Sequence, residues 1–551
     1  MIYPKIPLAQ SIIAIFEAKG IKNIVISPGS RNAPLTIGFV NNPIFKCYSI
    51  ADERCAGFFA LGIAQQTQEP VALVCTSGSA LLNYYPALAE AFYNQIPMIF
   101  VSADRPKNKI DIGDGQTIRQ ENVFENHSLF NANLSENACL ENDNLIQEAI
   151  FVSKSQKGPV HINAPFEEPL YETVELLDVN PIINLEKVDS KELEDLSEFL
   201  DIWNKSSRKM ILVGECFPDF IDDEITNLIG NDNSIVVMTE TISNWHHTNF
   251  INNIDAIITP FTATDFEDFK PEILVTFGGM IVSKRIKAMI RKYKPKHHWH
   301  IDELRAYDVF DCLTHHFTIH PNEFFKIFLS KTKSSTSNYN QKAQEIKSIR
   351  ATKSLEYLSK IPFCDFKAFE IILPSLPKNT LLQLGNSSTI RYAQLFDIDE
   401  SIAIFCNRGT SGIDGCTSTA IGAAVSQKTK QTIFITGDVG FLYDSNALWN
   451  NYIPKNFKII LINNGGGGIF RILPGHSETE VFNTFFETSH CLTAEHLAKM
   501  YQLDYLIASS ETTLKSQLEH FYTINKPAIL EVFTPTKINN EYLLDYFKHL
   551  I

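Results

Sequence analysis

The chain has 551 residues, 44% of them hydrophobic and 20% charged, with a formal net charge of −15. That length exceeds one hydrophobic core and points to roughly two to four domains of ordinary globular composition. The acidic balance argues against a protein that coats nucleic acid but leaves room for local basic clusters that hold small anions.

The apolar run Ile12 to Phe16 is too short for a signal-peptide core, and no stretch reaches the ~18 apolar residues of a membrane span. The ten cysteines are scattered without a C-x-x-C pair, so reduced thiols in the cytoplasm are the expectation. From residue 21 onward, apolar strands alternate with amphipathic helices. Strands are expected at Asn23 to Ile26, Cys47 to Ile50, Val71 to Cys75, Met98 to Ser102 and Pro159 to Ile162. Helices are expected from about Asp52 to Gln66 and Ala80 to Tyr93. A polar stretch around Glu186 to Leu196 reads as a linker. A second unit follows, with strands at Met210 to Val213, Ile235 to Met238, Ile273 to Phe277 and His298 to Ile301. The Ser/Lys/Asn-rich segment Lys331 to Gln341 reads as another linker. The third unit includes strands at Leu381 to Leu384, Ile402 to Phe405, Thr432 to Thr436 and Lys458 to Ile462, with a helix from Leu442 to Trp449. The expectation is three doubly wound α/β domains with mainly parallel sheets, over residues 1–180, 195–330 and 345–551.

Ligands of open α/β sheets bind beyond the carboxyl ends of strands. Asp438, in Ile-Thr-Gly-Asp-Val-Gly-Phe, stands where a strand gives way to a helix, and the next strand runs into Asn463-Asn464-Gly465-Gly466-Gly467-Gly468. A carboxylate, an amide oxygen and bare glycine backbone suit a hard cation such as Mg²⁺ together with a diphosphate. Taken alone, Asp438 caps a helix, and Glu53 is a first-turn acid favoured by the helix dipole. His298 and His300 share a strand face, but no Cys or acid in the pattern joins them, so both read as structural. Ser77-Gly78-Ser79 lacks the flanking glycines of a nucleophile elbow. No G-x-x-x-x-G-K-[ST] or G-x-G-x-x-G occurs, which speaks against nucleotide-triphosphate and dinucleotide sites.

Gly437-Asp438 followed by Asn463-Asn464 at this spacing resembles the cofactor motif of thiamin-diphosphate enzymes. The resemblance implies Mg²⁺ (or Mn²⁺) held by Asp438, Asn464 and the carbonyl of Gly466, with Asn386, Gly409, Ser411 and Gly437 at the cofactor. It implies that Ile413 keeps the cofactor bent and that Glu53, in Asp52-Glu53-Arg54, hydrogen-bonds N1′ of the aminopyrimidine. Several stretches together resemble the carboligases of menaquinone biosynthesis: Ser27 to Arg31, Ser102 to Pro106, Gly115 to Gln120, Ser283 to Arg285, Gly385 to Ser387, Asn407 to Gly409 and Gly468 to Phe470. That branch implies 2-oxoglutarate and isochorismate as substrates. They would be met by Ser30, Arg31, Arg105, Gln116, Lys284, Arg285, Ser387, Arg391 and Arg408, with Ile469 and Phe470 as an apolar wall. Arg54 and Arg119 read as surface ion-pair partners. The family also implies a homodimer or a dimer of dimers, with Glu53 of one chain facing Asp438 of its partner. Two alternatives stay open: a relative acting on smaller 2-oxo acids, and a binding protein that keeps the fold without the chemistry.

Overall fold

The computed structural model of the chain describes residues 2–184, 195–333, 335–472, 475 and 477–551. Three sheets organise it, each parallel throughout. In spatial order the first holds Lys46–Ser49, Asn23–Ile26, Val71–Cys75, Met98–Asp104, Pro159–Pro165 and Asn131–Asn133. The third holds Ala403–Cys406, Leu381–Leu384, Thr432–Gly437, Phe457–Asn463, Ala528–Phe533 and Asp504–Ala508. Numbered by chain order, both run second, first, third, fourth, sixth, fifth, so the two outer domains share one topology. The middle sheet runs Ile235–Thr239, Lys209–Val213, Ile273–Phe277, His297–Ile301 and His315–Phe317.

The β-branched runs that suggest these strands are buried along their length, as a sheet covered on both faces requires. A single core joins the outer domains: Phe59, Leu61 and Ile63 of the helix Glu53–Thr67 lie in one cluster with Ala420, Ile421 and Ala424 of the helix Cys416–Ser426. The two helices touch backbone to backbone. A Cβ added to Gly62 would lie 2.1 Å from the Thr419 carbonyl oxygen, and one on Gly422 would lie 2.0 Å from that of Phe59.

Several expectations are corrected. The helix expected over Ala80 to Tyr93 is two, Ser79–Asn83 and Tyr85–Asn94, broken at Tyr84 just before Pro86. The helix after Thr436 starts at Asp438 and ends at Tyr443, followed by a 3₁₀ turn over Ser445–Leu448. The proposed second linker ends early, because Tyr339 opens the helix Tyr339–Leu358. The Tyr339 ring is buried in the middle-domain core, and its hydroxyl donates to the Phe269 carbonyl at 2.7 Å. The first linker, Glu186 to Leu196, lies outside the described residues except for its last two positions. No described helix is long and apolar enough to cross a membrane.

Candidate functional site

In the third sheet, the chain leaves Leu381–Leu384 toward one edge and Thr432–Gly437 toward the other. These loops open a crevice at the carboxyl ends, where such sheets hold ligands. A cavity of about 520 Å³ fills it, lined among others by Asn386, Ser387, Asp438, Asn464, Gly466 and Phe470.

Asp438 is buried, the first residue of its helix. Its Oδ1 accepts from the Val439 N–H at 2.7 Å, and its Oδ2 accepts from Gly465 and Gly466 N–H groups at 2.8 and 3.0 Å. The neighbouring strand end can bend to offer both amides because Gly465 sits at φ +78. Burial raises the Asp438 pKa, while His490 and the backbone donors oppose the rise. The His490 Nδ1 accepts from the Leu492 N–H at 3.1 Å, and its Nε2 lies 3.4 Å from Asp438 Oδ2. His490 is absent from the sequence reading; it comes from a loop with no spacing signature. Asn464 donates its amide N–H to Asp365 Oδ2 at 2.9 Å, and its Oδ1 takes no hydrogen bond from any described residue. Asp438, Asn464 and Gly466 thus line one cavity, and their carboxylate, amide oxygen and backbone carbonyl, which also accepts from the Gly468 N–H at 3.0 Å, make a hard-oxygen donor set that fits Mg²⁺ or Mn²⁺.

Asn386 ties the surrounding loops together. Its Nδ2 donates to the Asn407 and Gly412 carbonyls, both at 2.7 Å, and its Oδ1 accepts from Arg408 Nη1 at 2.7 Å. Ser411, Ile413 and Gly437 also line the cavity, whereas Gly409 lines a neighbouring cavity with Arg408 and Ser411. The Gly409 and Thr410 N–H groups donate to Glu90, a buried carboxylate of the first domain.

Arg391 and Arg408 both face the cavity, and the Nε of each is buried without a partner among the described residues. Burial, then the charge of Arg408, lower the Arg391 pKa. Asp255 and Glu240 partly offset that repulsion, and an anionic ligand in the cavity would offset it further. Lys284, Ile469 and Phe470 line the same space. Arg285 does not: it stacks over the Phe547 ring at 4.2 Å and approaches Asp255 at 3.9 Å. Lys287, one helical turn after Lys284, lines the cavity in its place, a cation the sequence reading omits.

Ser30, Arg31, Glu53, Arg105 and Gln116 gather at the carboxyl ends of the first sheet, and none of them lines this cavity. Arg31 donates to the Phe166 carbonyl and to Glu168, each at 3.0 Å, and Arg105 donates to the Gly115 carbonyl at 3.0 Å. Each again has a buried Nε without a partner. Ser30 and Gln116 are exposed. Glu53 opens its helix behind the Asp52 cap, and its pKa is raised by burial, with Asp52 adding to the rise. The residues singled out in the sequence therefore fall into two groups on one chain, one lining the Asp438 cavity and one at the first sheet. Arg119 pairs with Asp111 on the surface at 2.9 Å, as expected. Arg54 does not: it donates to the Asp414 and Tyr443 carbonyls and lies 3.6 Å from buried Asp444, tying the outer domains together.

The histidine strand also differs from its sequence reading. Cys312 and Asp308 fold back on His298, with Cys312 Sγ 3.8 Å from His298 Nδ1 and ligand atoms of all three residues within 4.8 Å of one another.

Residues 6–128 match the family described as thiamine pyrophosphate enzyme, N-terminal TPP binding domain, and residues 385–532 match its C-terminal TPP binding domain. The chain is 67% identical over 550 residues to the 2-succinyl-5-enolpyruvyl-6-hydroxy-3-cyclohexene-1-carboxylate synthase of Flavobacterium psychrophilum, covering both chains in full. It is 50% identical to the protein of that name from Christiangramia forsetii, again over the whole of both chains. The protein of that name from Porphyromonas gingivalis is 37% identical over 98% of this chain and 96% of its own.

Proposed function

This chain belongs to the 2-succinyl-5-enolpyruvyl-6-hydroxy-3-cyclohexene-1-carboxylate synthase family of thiamine pyrophosphate enzymes, and from that premise we propose the reaction it runs. It decarboxylates 2-oxoglutarate and adds the remaining succinyl unit in a 1,4 sense to isochorismate, releasing CO₂, as a step of menaquinone biosynthesis. The observation that carries this reading is the group of cations, Lys284, Lys287, Arg391 and Arg408, that line one cavity with Asp438 and Asn464. The two substrates bring four carboxylates, and planar guanidinium groups match carboxylates in bidentate pairs.

Thiamin diphosphate, when bound, supplies the nucleophilic carbon and then the electron sink. Asp438, Asn464 and the Gly466 carbonyl would hold Mg²⁺ or Mn²⁺ against its diphosphate. Asn386, Ser411 and Gly437 line the cavity with them, and Ile413 would pack against the bound cofactor. Glu53 holds a proton at N1′ of the aminopyrimidine, a role that its burial-raised pKa favours. Arg391, Arg408, Ser387 and Lys284 receive substrate carboxylates beside the wall of Ile469 and Phe470. Arg31, Arg105, Ser30 and Gln116 complete the pocket from the first domain. We assign Arg285 and Gly409 to supporting the pocket rather than touching ligand. No described first-domain residue lines the Asp438 cavity, which supports a homodimer or a dimer of dimers in which Glu53 of the partner subunit completes it. The ten free cysteines suit a reducing cytoplasm.

The test is to incubate the protein with thiamin diphosphate, Mg²⁺, isochorismate and 2-oxoglutarate labelled at C1. Labelled CO₂ and a product of the summed mass minus CO₂ are expected. CO₂ release with isochorismate untouched would overturn the acceptor assignment.

A further inference from the structure

Asp365 is the first residue of the helix Asp365–Ser375, buried in the third domain at the edge of the cavity. A buried carboxylate needs a reason to be there, because it loses hydration and must recover it in hydrogen bonds. Each of its oxygens has one defined donor: Oδ2 accepts the Asn464 amide N–H at 2.9 Å, and Oδ1 accepts the Thr534 hydroxyl. Its backbone is fixed as well. The Asp365 N–H donates to Asn539 Oδ1 at 2.8 Å, and Asn539 in turn donates to the Pro535 carbonyl at 2.6 Å. Two elements separated in sequence, a helix start and the segment after the last strand, thus converge on one amide group.

An asparagine side chain has two nearly isosteric ends, and only the oxygen end can bind a cation. A carboxylate accepts hydrogen bonds and does not donate them, so Asp365 can meet only the nitrogen end of Asn464. The oxygen end is thereby turned away, and no described residue donates to it. We propose that Asp365 is the positioning residue of the metal site: it fixes the Asn464 amide so that Oδ1 is always presented to the divalent cation. The inference rests on the cofactor reading above. Thr534 and Asn539 serve it by holding Asp365 itself, which connects the C-terminal segment to cofactor affinity. Partners of this kind behind a ligand typically change metal affinity by about ten- to a hundred-fold when removed.

The experiment titrates Mg²⁺ against protein at fixed thiamin diphosphate, following cofactor binding by tryptophan fluorescence without substrates. It compares wild type with Asp365→Ala, Asp365→Asn and the exchange Asp365→Asn/Asn464→Asp. Melting of each metal-free protein is measured in parallel. Asp365→Ala should raise half-saturating Mg²⁺ by about ten- to a hundred-fold. Asp365→Asn, which can still accept through its own oxygen, should lose less. In the exchange, the amide introduced at position 365 would donate to a carboxylate at position 464, and most of the lost affinity should return. Wild-type Mg²⁺ dependence in both single variants overturns the inference and leaves the proposed function standing. A loss that the exchange does not relieve, accompanied by an equal fall in metal-free melting, reduces Asp365 to a folding role and also overturns it. Wild type that binds no thiamin diphosphate with Mg²⁺ overturns the cofactor reading, and the inference with it.

Discussion

Arg408→Ala separates the substrate from the scaffold. The Arg408 Nη1 donates to Asn386 at 2.7 Å, while its Nε is buried without a partner. A hydrogen bond to a charged group contributes roughly 1.5–3 kcal/mol, and removing one partner of a buried charged pair costs roughly 2–5 kcal/mol. Taking about 3 kcal/mol, kcat/KM for 2-oxoglutarate should fall about a hundred-fold, at about 1.4 kcal/mol per decade. Stability of the free protein should fall modestly, because the Asn386 hydrogen bond and the attraction to Glu90 and Glu215 are lost while the repulsion on Arg391 is relieved. The assay is initial-rate loss of isochorismate with 2-oxoglutarate, repeated with 2-oxobutyrate, which lacks the distal carboxylate. The preference for 2-oxoglutarate should collapse at temperatures well below the melting transition of the variant. An unchanged preference, or an activity loss that merely follows a lower melting temperature, would refute the reasoning.

Glu53→Gln should retain thiamin diphosphate binding by fluorescence yet lose about 10²–10⁴-fold in turnover, the usual scale for a general acid–base; wild-type turnover would remove the assignment. Gly62→Ala should destabilise the joint between the outer domains by at least ~1–3 kcal/mol in urea unfolding, because the new Cβ meets a backbone oxygen at 2.1 Å and backbone cannot step aside. Neutrality there would mean the two helices are not locked together. Glu215 has a buried Oε2 without a partner, and its pKa is pushed up to about 8, chiefly by burial and then by the charge of Glu90. Its folded-state pKa lies above the unfolded value, so the native state binds the extra proton between about pH 4.5 and 8. Melting temperature should therefore fall as pH rises through that window, and Glu215→Gln should flatten the slope; an identical profile in the variant would contradict it.

The sheets were legible where strands are β-branched and buried on both faces. Val71–Cys75, Ile273–Phe277 and Leu381–Leu384 have the expected limits. Asn131–Asn133 and His315–Phe317 escaped because they are short, polar edge strands whose identity comes from pairing rather than from pattern. Asp438 and Asn464 were legible through spacing, since neighbouring strand ends deliver both to one crevice. Asp365 and His490 were not, because each reaches the crevice from a distant segment that only the tertiary fold brings near. The same holds for Cys312 and Asp308, which turn back on His298 through a loop without periodicity. Arg285 sits in a matching stretch, yet helical geometry turns it toward Phe547 and leaves Lys287 facing the cavity.

The central claim is that Asp438 and Glu53 belong to two halves of a site that a single chain does not complete. The most direct measurement mixes Glu53→Gln protomers with Asp438→Ala protomers, each inactive alone, and follows isochorismate consumption after subunits have exchanged. In a random mixture half of the dimers pair unlike chains, and in each of these one of two sites is intact, so activity should return to about one quarter of wild type. If exchange is complete and no activity returns, both residues act within one chain, and the two-half account is contradicted.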